Sequence, residues 1–130
     1  MKRNILPVLL LVSAFVFGSA AMAADSSLSV IQPVMQKLPV AMKDLQDKSA
    51  AKDYFGTAEK FMDIARLFKQ LENAVPASGD KAKWNQIHQA LINSAFKGIG
   101  ACGAKDDDGI KKAISDLAKY KGEGHKLFIK

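Results

Sequence analysis

Residues Gly109–Lys130 read GIKKAISDLAKYKGEGHKLFIK. Ile110, Ala113, Ile114, Leu117, Tyr120, Lys121 and Gly124 recur at steps of three and four, which puts the apolar side chains on one face of a helix until the pattern degrades near its end. A helix with one apolar stripe must bury it against other helices. Gly122 and Gly124 flank Glu123, and each glycine costs about 1 kcal/mol of helix stability relative to alanine. This predicts that the helix stops at Tyr120 or Lys121, leaving His125 on a loose tail.

Upstream lie three further segments with the same kind of period. Asp106, Asp107 and Asp108 stand immediately before the last helix, where carboxylates accept from free backbone N–H groups and sit favourably in the helix dipole. A calcium loop would need further oxygen ligands at set spacings, which this stretch does not have. The third segment runs from about Lys81 to Ala101, with Asp80 as its N-cap and with Trp84, Ile87, His88, Leu91, Ala95, Gly98 and Ile99 inward. Gly98, Gly100 and Gly103 predict fraying into a loop around Cys102 and Ala104. Val75–Asp80 holds Pro76, Ser78 and Gly79 and reads as a turn.

The second segment carries the most regular stripe, from Ala51 through Tyr54, Phe55, Ala58, Phe61, Met62, Ala65 and Phe68 to Leu71, and extends to about Asn73. Asp47, Lys48 and Ser49 read as a polar break before it. The first segment, Leu28–Gln46, places Ile31, Val34, Met35, Leu38, Met42 and Leu45 on one stripe. Pro33 fits a first turn after Ser27 or Ser29, whereas Pro39 lies in the interior and predicts a kink. There is no strand-like alternation, no low-complexity segment and no internal repeat on this reading. Four amphipathic helices joined by short turns predict an all-α, antiparallel up-down-up-down four-helix bundle.

Met1, Lys2 and Arg3 precede an apolar run from Ile5 to Phe17, followed by Ala21-Met22-Ala23 as a small-residue cleavage site. This pattern predicts a secretory signal peptide over residues 1–23 and a domain over residues 24–130. The apolar run is shorter than the roughly 20 residues of a spanning helix, so no membrane attachment is expected after cleavage. The localisation expected is periplasmic. Without the leader the formal charge falls from +6 to +4, because Lys2 and Arg3 leave and no acid does. A mildly basic chain with no basic run interleaved with aromatics gives nucleic-acid binding no support.

The lone Cys102 cannot form an internal disulfide. It reads as a small packed residue, or in an oxidising compartment as one half of an intermolecular disulfide. No paired carboxylates, metal-ligand cluster or nucleophile constellation points to an enzyme.

Several features together resemble the cytochrome c-prime family: a second helix rich in small and aromatic residues leading into a proline turn, Lys83-Trp84 opening the third, and an acidic turn before a GIKKAISDL-like start to the fourth. In that family the last helix ends in CxxCH, which holds haem covalently with the histidine as axial ligand, followed by an aromatic residue. The matching positions here are Lys121, Gly122, Glu123, Gly124 and His125, with Phe128 three residues on. Lys121 and Gly124 stand where the family has thiols, and Ile129 stands where it usually has arginine. Cys102 is no substitute, because it precedes a helix that carries His125 about 25 Å away at 1.5 Å per residue.

The resemblance therefore implies haem binding and electron transfer with any haem held non-covalently, as in b-type relatives that use a methionine on the first helix and a histidine on the fourth. Met35 and His125 match those positions, with Met42 a second, deeper methionine. His88 reads as a half-exposed bundle residue. A redox partner protein and a homodimer through the first two helices are also implied. The other role left open is a haem-free bundle that acts as an interaction or ligand-binding module.

Overall fold

The computed structural model describes residues 29–72, 74 and 79–128. The expected signal peptide over residues 1–23, and Ile129, lie outside the described residues. The described residues form four helices: α1 over residues 29–50, α2 Tyr54–Leu71, α3 Lys81–Gly103 and α4 Asp107–Phe128. No described residue lies in a strand. The helices pack as an all-α, antiparallel four-helix bundle of up-down-up-down order, as the periodicities predict.

The bundle turns twice on the same sequence. Ala51-Lys52-Asp53 and Ala104-Lys105-Asp106 join α1 to α2 and α3 to α4, and each is followed, after two intervening residues, by a glycine, Gly56 or Gly109, giving a repeated AKDxxG. In the first corner Asp53 N–H donates to Lys48 O (3.1 Å) and Lys52 N–H to Ser49 O (3.0 Å). In the second, Asp106 N–H donates to Ala101 O (2.9 Å) and Lys105 N–H to Cys102 O (3.1 Å). These paired bonds form a Schellman ending, which satisfies carbonyls that the last helical turn would leave open. The residue at its hinge must be left-handed, and Lys52 and Lys105 are so at φ 57° and 53°.

Each aspartate then caps the next helix. Asp53 Oδ1 accepts from Gly56 N–H at 2.9 Å and Asp106 Oδ1 from Gly109 N–H at 3.0 Å. A Cβ on either glycine would fall 2.4 Å from Asp53 Oδ2 or 2.6 Å from Asp106 Oδ2, so a larger residue would have to displace the capping carboxylate. A short repeat is therefore present where none was expected. The polar break expected at Asp47–Ser49 is helical; those residues are the last turn of α1, and the break comes at Ala51–Asp53.

Tyr54 and Asp107, each the first residue of its helix, tie the corners together: the Tyr54 hydroxyl donates to Asp107 Oδ1 at 2.9 Å, and Lys52 Nζ lies 3.4 Å from Asp107 Oδ2. The hydrogen bond holds the Tyr54 phenol above its ordinary range and the Asp107 carboxyl below it.

Between the ends, Val34, Leu38, Leu45, Phe61, Ile64, Leu71, Ala95, Ile110 and Leu117 are buried in one core. α3 does not fray after Ala101. Gly98 is buried against Phe61, whose ring would meet a Cβ at 2.4 Å, so this glycine lets α2 and α3 approach closely. α1 is continuous through Pro33 and Pro39. Pro39 is exposed, and the donor it removes is the one that Met35 O would have accepted.

Candidate functional site

The end opposite the two corners is built from the start of α1, the end of α2, the start of α3 and the end of α4. It holds an apolar cavity of about 170 Å³. Ile31, Met35 and Leu38 border it from α1 and Phe68 from α2. Trp84, Ile87, His88 and Leu91 line it from α3, and Tyr120, Lys121, Gly124, His125 and Phe128 from α4.

Trp84 anchors the α3 wall. It is 4% exposed, and its Nε1–H donates to Leu71 O at 2.9 Å, so the indole's polar edge is paired with the last turn of α2. Asp80 caps α3 as expected, accepting from Ala82 N–H at 2.8 Å. The Phe128 ring meets Trp84 edge to face, with centroids 5.1 Å apart at 87°. Phe128 is seated on the backbone of Gly79, where φ is +94° and a Cβ would lie 2.7 Å from the phenyl ring. That position needs glycine for both reasons.

His88 lies on the same wall, one turn after Trp84. It is 4% exposed, not the half-exposed residue expected. Its Nδ1 is 2.7 Å from Trp84 O, and since a carbonyl only accepts, Nδ1 carries the proton. The ring lies 4.3 Å from Trp84 and meets Phe68 edge to face at 6.0 Å. Burial pushes its pKa below the ordinary 6.5, so the imidazole is neutral near pH 7.

The α4 wall corrects the expectation of a helix ending at Tyr120 or Lys121, since α4 continues to Phe128. Gly124 faces Ile87, whose Cγ2 would lie 3.6 Å from an added Cβ. Packing against α3 and the seat of Phe128 hold the last turns against their weak propensity. His125 is exposed along one side yet borders the cavity, in the last turn of a helix whose dipole favours positive charge there. Met35 is half-buried and also borders it. Met42 packs against the core and is not among the residues bordering the cavity.

Cys102 sits towards the other end, 3% exposed, and burial raises its thiol pKa. A protonated, enclosed sulfur in the folded chain is not presented to a second copy, which removes the intermolecular disulfide as its role in the folded protein.

Sequence reasoning thus named two candidate donors that border this cavity, Met35 and His125, and missed the weight of the aromatic wall. The signal for Trp84, His88 and Phe128 was the spacing of Trp84 and His88 by four residues and the single aromatic after His125. The chain matches no protein-family model, no curated protein and no solved structure. None of the described helices is long and apolar enough to cross a membrane.

Proposed function

We propose that this cavity is a ligand site and that its ligand is haem held without covalent bonds, with His125 and Met35 as donors to iron. The supporting observation is convergence: Met35, matched to the b-type relatives, and Lys121, Gly124, His125 and Phe128, from the ending that resembles cytochromes c-prime, border one apolar cavity. The donor set suits the group, since an imidazole and a thioether are both ordinary iron ligands and the walls are aromatic and aliphatic. Bound haem would supply one-electron chemistry. The chain's part is to offer His125 and Met35, to exclude water with Trp84, Tyr120 and Phe128, and to provide at Lys121 a cation able to pair with a ligand carboxylate.

The role then is electron transfer with a redox partner protein in the periplasm, reached through the export signal read in residues 1–23, and not catalysis. Pairing of two copies through α1 and α2 belongs to the same proposal, with Val40, 62% exposed on α1, as a residue it would cover.

A second reading has its own support. At about 170 Å³ the cavity is smaller than the roughly 300–1,000 Å³ of sites for drug-sized ligands. That volume favours a haem-free module for a small apolar ligand, while a porphyrin would have to leave an edge in solvent or displace the last turn of α4.

Titration with haemin separates the two. The haem reading expects a sharp Soret band saturating at one equivalent, abolished in His125→Ala, shifted in Met35→Ala, and fully extracted by acid-acetone. A broad, non-saturating band indifferent to His125→Ala would reject haem and leave the smaller ligand.

A further inference from the structure

His88 gives the cavity a polar handle that neither role accounts for. With Nδ1–H donated to Trp84 O at 2.7 Å, the neutral ring carries its lone pair on Nε2. No hydrogen bond from Nε2 to a described residue is present, and no fully enclosed side-chain nitrogen or oxygen among the described residues lacks a partner. The residue as a whole is 4% exposed, and Lys81 and Glu72 are the charged groups that act on its ring. The space that His88 borders is the cavity.

The ring cannot easily turn this acceptor elsewhere. Its Nδ1 bond, the tilted contact with Trp84 and the edge contact with Phe68 fix the plane. An acceptor held this way in an apolar enclosure is under-solvated. A ligand that fills the cavity without a donor leaves Nε2 unpaired, whereas a ligand with an O–H or N–H gives it a direct bond.

We propose that the cavity selects small aromatic molecules bearing one hydrogen-bond donor, of the phenol or indole class, which donates to His88 Nε2 while the ring packs among Trp84, Leu91 and Phe128. The inference rests on the haem-free ligand-binding reading and names its ligand class. The aromatic body is matched by the edge-to-face geometry of Trp84 and Phe128, and the donor by a neutral imidazole whose other nitrogen is committed. Trp84, the single tryptophan of the chain, reports directly on occupancy.

The test titrates the full folded chain with phenol and with toluene, which share a ring but differ in the donor. Trp84 fluorescence gives the affinities, and ¹⁵N NMR gives the His88 Nε2 resonance. Both probes are expected to bind. His88→Phe, which keeps a ring in place, should weaken phenol about tenfold, the size of one hydrogen bond to a buried acceptor, and change toluene by less than about twofold. In the wild type, saturating phenol should move the Nε2 resonance from the bare towards the hydrogen-bonded range and toluene should not. That spectrum decides the matter even if His88→Phe fails to fold. Equal losses for both probes, or an Nε2 resonance unmoved by phenol, would overturn the donor assignment while leaving an apolar site. Binding of neither probe would overturn the site with it.

Discussion

The two ends of this bundle are made from the same four helices and finished in opposite ways. At one end two copies of AKDxxG turn the chain in three residues each, close the outgoing carbonyls, cap the incoming helices and are joined through Tyr54 and Asp107. Polar groups there are answered by polar groups at 2.9–3.1 Å. At the other end large rings stand around a space of about 170 Å³, and the last turns of α4 carry two glycines. The short corners are closed by backbone bonds and aspartate caps, whereas at the opposite end packed side chains border a void. One end is finished by polar bonds and the other by packed rings around a cavity.

The contrast can be broken most severely at Trp84. Trp84→Ala removes a buried indole and leaves Leu71 O without its donor, so denaturant unfolding should show a loss of about 3–5 kcal/mol. A loss under about 1 kcal/mol would mean that the aromatic wall does not support the open end. At the tight end the units are smaller. Asp53→Ala and Asp106→Ala should each cost about 1 kcal/mol by removing an N-cap, and they should do so equally, because the two corners are the same motif. A large inequality between them would show that the repeat is one of sequence only.

The smallest expected effect is a titration at the open end. Burial lowers the pKa of His88 from 6.5, so the unfolded ring takes a proton before the native one does. Its contribution to stability is complete above about pH 6.5 and is lost as the pH falls below that value. Glu72 and Asp107, whose pKa values are lowered from 4.5 and 3.8, act in the same direction only in more acid solution. The melting temperature should therefore fall between pH 7.5 and 5.5 in the wild type and be nearly flat in His88→Phe. A wild type equally stable at both values would contradict a neutral, buried imidazole.

Much of the fold was legible because apolar residues at steps of three and four need no knowledge of partners. The α1–α2 boundary was misplaced for a definite reason: a left-handed hinge is usually glycine, and here it is Lys52, while the polar run at Asp47–Ser49 imitates a loop. The end of α4 was misjudged because propensity counts Gly122 and Gly124 against a helix, whereas Ile87 and the Gly79 seat of Phe128 act only in the folded state. For the candidate site, the positions of Met35 and His125 followed from helix order. His88 did not follow, because its burial depends on a carbonyl one turn earlier accepting its proton. The cavity itself could not be read from the chain at all, since it is the residue of packing among rings from different helices.

Lys121, Gly124 and His125 border the cavity proposed to hold a porphyrin. The double variant Lys121→Cys/Gly124→Cys places two thiols ahead of His125 and completes a CxxCH on the helix that borders the cavity. Expressed in a host that matures c-type cytochromes, it should carry haem through thioether bonds, so colour and the added mass survive acid-acetone extraction, while the wild type loses all colour under the same treatment. A folded, helical double variant that emerges without haem would contradict the account.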